Sequence, residues 1–574
     1  MLELWFVVIL LGVMLVGLIA TRIQASYIFA AAAIAMFLSG FVPLESLAKN
    51  FTNGSLLTLV LLMLASCGLE KTRLISSISQ HISKGNLASV VAKLGISTAV
   101  LSSFTNNTAI VVALIGAIKR NPTHPPSKLL IPLSYAAILG GTLTLIGTST
   151  NLIINSFVVD AGLPSLGFFS PSLIGIAALC VCMCVLIPMS YSLVKQKADE
   201  EEDLPYFIEA RVCQESPLIG KTIQENKLRS LRQLYLAEVI RDKQSFPSVD
   251  PYLTLHADDR LMFCGDVNSV STLQEIEGLE FFSQHHLDGQ NLVEVVVSQS
   301  ASIRYQSLKS CQFRERFDAI VVAIRRGHEP LKGGLGNIRL IAGDVLVLVP
   351  GKNFASMRQS FGREFVFIND LDSSTKLGVR KSWSVISGFM LALGLGITGV
   401  LPIINSLTIY LLFLLAIKAV TLGELSRRFP VDIVVIVGAA LSLAQLMVSS
   451  GVSAMIGQFF MQSFDGFGPM GALVAAYLMT LVMTEFITNN AAAALSFPIA
   501  LSMAQAYNVD VMPFVMAVLF GASASFISPY GYQTNLLVYR VGGYQLKDYF
   551  KMGLPMSLAY SIVVLTLIPI IYPF

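Results

Sequence analysis

The sequence predicts a polytopic α-helical membrane protein, two inverted repeats flanking one soluble α/β insert. Three observations predict it. The 574-residue chain is 54% hydrophobic and only 13% charged, whereas soluble proteins are about one-quarter charged. Residues 195–381 hold 50 of the 75 Asp, Glu, Lys and Arg residues, so a polar segment separates two apolar blocks, 1–195 and 380–574. Finally, short motifs recur in the same order in both blocks. A net charge of +3 gives no footprint for a nucleic-acid polymer as partner. Cys180, Cys182 and Cys184 lie two apart inside an apolar run, where a helix splays them, so no transition-metal site is expected.

A helical crossing needs about 20 apolar residues. The first block offers crossings near 4–20, 26–44, 55–69, 129–158 and 171–194. No Lys or Arg precedes the first run, which therefore reads as a retained helix and not a cleaved leader. The second block offers crossings near 383–400, 405–420, 431–447, 512–540 and 553–573. Two stretches, 88–118 and 475–506, are polar in the middle and read as re-entrant hairpins. Each repeat is then about five transmembrane helices plus one hairpin, and the two repeats face opposite ways. Positive charge agrees with that topology: Lys71, Lys119, Lys128, Arg427, Arg428, Arg540 and Lys547 fall on the cytoplasmic side, and Lys49 outside. The expectation is a multi-pass protein of the cell inner membrane, with a cytoplasmic insert and both termini extracytoplasmic.

The motifs keep a nearly constant offset. Thr105-Asn106-Asn107 recurs as Thr488-Asn489-Asn490, shifted by 383. Pro132 and Gly140 recur as Pro513 and Gly521, shifted by 381, and Thr150-Asn151-Leu152 as Thr534-Asn535-Leu536, shifted by 384. Inverted repeats in a membrane protein point to alternating access around a midplane site built from broken helices.

The hairpin centres, 102–108 and 484–490, are rich in Ser, Thr and Asn. Such groups cost several kcal/mol each in hydrocarbon unless they are paired or line a wet cavity. Their oxygens, with freed backbone carbonyls, are hard ligands suited to Na⁺. Their N–H and O–H groups, with half-helix N-termini, suit an anion. Gly147-Thr148-Ser149-Thr150-Asn151 and 528–535 break apolar runs and supply a facing wall. Isolated Ser, Thr and Asn often only join helices, but paired asparagines in both hairpins favour binding. No crossing carries Lys or Arg near its centre, so sodium ions would compensate the anion's charge. Glu485 reads either as a proton or cation site or, preferably, as a helix-end group bonded to backbone.

These motifs resemble the divalent anion:sodium symporter family of the ion-transporter superfamily. Asn106-Asn107-Thr108-Ala109, with Ser102 before it, matches the first hairpin motif of that family. Thr484-Glu485-Phe486 followed by Thr488-Asn489-Asn490 matches the second. The chain departs from the pattern with Asn106 where Ser is usual and Asn490 where Thr is usual. The resemblance implies elevator-type symport of a small divalent anion (sulfate first, a C4-dicarboxylate next) with Na⁺ as coupling ion, no cofactor, and a homodimer. For the anion, the expected residues are Asn106, Asn107, Thr108, Thr148 and Ser149 in the first repeat. In the second they are Thr488, Asn489, Asn490, Ser528, Pro529 and Thr534. For sodium they are Ser102, Thr105, Asn107, Gly147 and Asn151, then Thr484, Asn489 and Asn535.

The insert reads as two copies of one α/β unit, residues 205–287 and 290–372. Glu209-x-x-Val212 recurs as Glu294-x-x-Val297, and Leu255-x-Ala257-x-Asp259-x-Leu261 as Leu340-x-Ala342-x-Asp344-x-Leu346, both shifted by 85. Strands are expected at Ile208–Val212, Leu234–Ile240, Arg260–Cys264, Val293–Val297, Ala319–Ile324 and Val345–Val349, and helices after Asp266 and Lys352. Gly333-Gly334-x-Gly336 follows no clear strand and reads as a turn. The acidic run 199–203 reads as a solvated linker. The pattern resembles the TrkA-C domain, which implies a cytoplasmic small-molecule regulator. Two other readings compete: a ligand-gated channel or potassium pathway, and a transporter-like receptor. The channel reading lacks a Thr-Val-Gly-Tyr-Gly filter and leaves the paired asparagines unexplained.

Overall fold

The computed structural model describes residues 2–21, 23–72, 85–119, 121, 123–193, 206–228, 231, 234–241, 244–246, 250–265, 276–280, 293–298, 301–326, 329–331, 335–351, 354–357, 361, 364–367, 377–463 and 465–574. The run 199–203, the stretch directly after Asp266 and Gly333-Gly334 lie outside these residues.

In hydrocarbon a chain must satisfy its own backbone, and helices do so within one segment. The first apolar block folds as Leu2–Ala20, Ala25–Leu38, Leu44–Phe51, Gly54–Glu70, Leu87–Ser102, Asn107–Lys119, Leu130–Gly141, Ser149–Asp160 and Ser172–Ser190. The second folds as Val379–Ile397, Ile403–Ala416, Leu422–Arg427, Val431–Ser449, Val452–Ser463, Gly468–Phe486, Asn489–Tyr507, Met512–Ser523, Gln533–Val541 and Leu546–Ile571. Among the described residues, six helices are long and apolar enough to cross a membrane.

Two expected crossings need correction. The runs 129–158 and 512–540 are each two helices, separated at 142–148 and 524–532. The chain can leave the helix there because the following helix supplies donors to the loop. Asn151 Nδ2 donates to the carbonyls of Gly141 (3.1 Å) and Thr144 (2.9 Å), and Asn535 Nδ2 to that of Ser525 (2.8 Å). Hydropathy also did not separate out the helix Val452–Ser463.

Each hairpin packs on the first half of the broken pair that follows it. Glycine permits the approach: a Cβ on Gly140 would stand 2.4 Å from the Ala99 carbonyl oxygen, and one on Gly521 3.1 Å from that of Tyr477. At one end of the helical body Lys71 donates to Glu424 at 2.7 Å, and Arg428 pairs with Glu70. At the other, Gln445 donates to Asp160 and Ser449 to Glu3.

The insert forms two five-stranded antiparallel sheets. The strands are β1 (Tyr206–Val212), β2 (Leu234–Arg241), β3 (Gln244–Phe246), β4 (Arg260–Gly265), β5 (Leu279–Glu280), β6 (Val293–Val297), β7 (Ala319–Arg326), β8 (Glu329–Pro330), β9 (Val345–Pro350) and β10 (Phe365–Phe367). Their orders, β3-β2-β4-β1-β5 and β8-β7-β9-β6-β10, are the same. The six strands expected from composition are all present. After Lys352 the described helix is one short turn, Phe354–Met357. The sheets share a buried arginine–aspartate fork. Arg241 Nε and Nη2 each lie 2.7 Å from Asp259, and Arg326 Nε and Nη2 each lie 2.8 Å from Asp344.

The second sheet seats on the helical body. Val296 and Val345 belong to the membrane core cluster. Gly343, at φ +86°, lies so close to Arg540 that a Cβ there would stand 2.8 Å from Nε. Removing one partner of a buried ion pair costs about 3–5 kcal/mol; here the lower figure applies, because Arg326 is 33% exposed. Asp344→Asn should therefore make the second sheet the first region cut in limited proteolysis of the full chain. Wild-type resistance would contradict the role of the fork.

Candidate functional site

Each hairpin turns over at a tip held by one hydroxyl and one asparagine. Ser102, the last residue of its helix, places Oγ 2.5 Å from Asn107 Oδ1 and 2.7 Å from the Ala137 carbonyl oxygen. Thr484 does the same, with Oγ1 3.0 Å from Asn489 Oδ1 and 2.8 Å from the Ala522 carbonyl oxygen. A hydroxyl has one proton and serves one of two acceptors at a time. Each tip therefore gathers three oxygens around a single proton, in residues buried below one-tenth exposure. Such an excess of acceptors suits a hard cation.

The tips meet the loops of the opposite half. Asn107 Nδ2 donates to the Tyr532 hydroxyl at 2.6 Å, and that hydroxyl lies 3.4 Å from Thr148 Oγ1. Thr108 Oγ1 reaches Gln533 Oε1 at 3.4 Å. From the other side, Ser149 Oγ and Thr150 Oγ1 approach Asn490 Oδ1 at 3.1 and 3.3 Å. Gly141 leaves the space Asn107 occupies, since a Cβ there would stand 2.8 Å from Nδ2. Gly147 is equally confined, 2.5 Å from the Gly141 carbonyl oxygen by the same measure. Among the described residues these groups meet one another and no lysine or arginine, and hydroxyl and amide donors of this kind suit an anion accompanied by cations.

Glu485 fixes the second loop. Its Oε1 accepts from the backbone N–H of Phe526 (3.0 Å) and Ile527 (2.9 Å), and Oε2 from that of Ser528 (2.7 Å). This is the helix-end, backbone-bonded arrangement, with the carboxylate engaged by three consecutive donors.

Of the expected residues, the structure brings together Ser102, Asn107, Thr108, Thr148, Ser149, Thr484, Asn489 and Asn490. Others serve their own segments. Thr105 Oγ1 donates to the Leu101 carbonyl, Asn106 Oδ1 accepts from Thr108 N, and Thr488 Oγ1 accepts from Ala491 N. Thr534 and Asn535 lie on a separate buried contact, with Ser134 Oγ 2.9 and 2.7 Å away. Asn151 braces its loop, although its Oδ1 is buried without a partner among the described residues. Ser528 and Pro529 line an open cavity of about 630 Å³ with Lys547 and Lys551, and its lining includes neither tip. Tyr532 and Gln533 fall in the expected facing wall 528–535 without a role of their own, and Ser134 was not singled out by the sequence. For Tyr532 a signal existed, since the 384-residue shift that matches Asn151 with Asn535 also matches Thr148 with Tyr532.

Hydrogen bonds to charged groups contribute about 1.5–3 kcal/mol each. Glu485→Gln should therefore lower the unfolding temperature and leave the pH dependence of uptake unchanged. A variant that unfolds like wild type but takes up substrate with an altered pH profile would make Glu485 a proton carrier instead.

The family model described as citrate transporter, CitMHS, matches residues 13–521. A Chlamydomonas reinhardtii protein named for a proposed role as a sulfur deprivation response regulator is 28% identical over 572 residues, covering 94% of this chain and 97% of that protein. An uncharacterized transporter of Synechocystis sp. is 27% identical, covering 94% of this chain and 92% of its own. Sodium/sulfate cotransporter 1 of Chlamydomonas reinhardtii is 27% identical over 62% of this chain and 42% of its own. With most of its length matched and its polar tips enclosed in a helical membrane body, the chain belongs to the citrate transporter family, a family of transporters and not of enzymes.

Proposed function

We propose that this transporter moves a small divalent anion, sulfate first and a C4-dicarboxylate next, in symport with Na⁺. The observation that carries the reading is the doubled tip, in which three oxygens share one proton at Ser102–Asn107–Ala137 and again at Thr484–Asn489–Ala522. Sodium at both tips would satisfy the surplus oxygens and offset the anion's charge, which couples the two fluxes. Sulfate is favoured by the relatives named for sodium/sulfate cotransport, and a carboxylate by the family's description as citrate transporters.

The matched hairpins and broken pairs support two inverted repeats, 1–195 and 380–574, working by elevator-type alternating access. Orientation in the inner membrane, with the insert in the cytoplasm and both termini outside, is supported by the positive-inside rule, which places the end that carries Lys71 and Arg428 in the cytoplasm. The equal strand order of the two sheets supports tandem TrkA-C-like domains at 205–287 and 290–372. A small-molecule regulator acting there has a mechanical route. Gly343 abuts Arg540 on the helix Gln533–Val541, which begins beside Tyr532. A regulator shifts the transport equilibrium only through different affinities for its two states. A homodimer completes the proposal.

The test is reconstitution of the full chain into vesicles with labelled sulfate or succinate and a Na⁺, K⁺ or proton gradient. Concentrative uptake driven by Na⁺ is expected for wild type. Ser102→Ala, which removes one tip oxygen, should raise the Na⁺ concentration for half-maximal uptake several-fold, in line with the cost of losing a hydrogen-bonding group at a dry site. Passive flux of K⁺ without concentration would overturn the symporter reading.

A further inference from the structure

The two hairpin asparagines face unequal partners. Asn107 and Asn489 each begin a helix and so correspond at a shift of 382, one residue off the 383 of the sequence match, and Thr148 and Tyr532 correspond at 384. The neighbouring contacts keep the symmetry, since Thr108 faces Gln533 and Asn490 faces Ser149. At the central position it is broken. Asn107 Nδ2 donates to the Tyr532 phenol, whereas Asn489 Nδ2 is buried and has no partner among the described residues. A threonine stands where the second half has a tyrosine, and it is too short to make the matching contact.

Among the described residues, the phenol's own proton has only one, long acceptor. Its oxygen accepts from Asn107 at 2.6 Å, and among the described residues the nearest acceptor for its proton, Thr148 Oγ1, is 3.4 Å away, beyond the usual O–H···O range of about 2.5–3.0 Å. Asn107 thus holds a donor whose proton is available, at the point where the first hairpin meets both loops.

We propose that Tyr532 selects the anion. Its phenol, oriented by Asn107, donates to one oxygen of a compact dianion, and its ring fills the space that the second carboxylate of a longer dianion would need. The inference rests on the anion-transport reading and narrows it to compact oxyanions of the sulfate type.

The experiment measures uptake of labelled sulfate in vesicles and its inhibition by unlabelled sulfate, thiosulfate, malonate and succinate. In Tyr532→Phe the ring stays, so the length cut-off among inhibitors should hold, while apparent sulfate affinity falls roughly tenfold or more with the lost donor to a charged group. In Tyr532→Thr, which restores the symmetry with Thr148, succinate should become an inhibitor and a substrate. A Tyr532→Phe protein with wild-type affinity, or a Tyr532→Thr protein with the wild-type cut-off, overturns the proposal. If Tyr532→Thr does not fold, the affinity of Tyr532→Phe decides. If wild type carries a different anion, the sulfate reading fails by itself. The same panel with that anion as label still tests Tyr532, because a moved cut-off supports the role and an unmoved one overturns it.

Discussion

A hydroxyl has one proton, and at both hairpin tips of this protein one hydroxyl stands between two acceptor oxygens. Most of what surrounds the site follows from that shortage. Ser102 and Thr484 lie in the last turn of their helices against asparagines that begin the next ones, and each also reaches a carbonyl on the helix packed behind it. Such a surplus of acceptors in a dry interior favours something positive beside it. The chain supplies no lysine or arginine at the tips, and that role falls to the coupling ion in the proposed mechanism.

The loops serve the tips. Glu485 gathers the N–H groups of Phe526, Ile527 and Ser528, which fixes the loop that delivers Tyr532 to Asn107. Asn151 and Asn535 each tie their loop carbonyls from the following helix. Gly140, Gly141 and Gly147 are glycines because backbone or the Asn107 amide occupies the space a side chain would take. The insert reaches the same region from outside through Gly343 and Arg540, one helix length from the second loop.

Much of this was legible in the sequence where a residue's own chemistry sets its place. Strands β1, β2, β4, β6, β7 and β9 are rich in β-branched and apolar residues and were readable directly. The edge strands β3, β5, β8 and β10 are two or three residues long and are defined by their partners, so composition does not reveal them. Hydropathy merged 129–158 into one crossing because Leu143, Leu145 and Ile146 keep the break apolar. The tips stood out because Asn-Asn in an apolar run has no cheap structural reading. Thr534 and Asn535 looked equally polar, yet they pair with Ser134, about 400 positions away in the chain, a contact no local pattern encodes. Tyr532 lay within the expected wall 528–535, but a tyrosine there is ordinary until its partner is known, so its own role was hidden.

The most direct test of this account is thermal unfolding of the purified full chain in NaCl against choline chloride at equal ionic strength, without any anionic substrate beyond chloride. A ligand that binds only the folded state raises stability by RT ln(1 + L/Kd), where L is its free concentration, so more when it binds more tightly. The account predicts a higher unfolding temperature in Na⁺, a smaller rise in either Ser102→Ala or Thr484→Ala, and none in the double variant. Equal unfolding temperatures of the wild-type protein in Na⁺ and choline would contradict it.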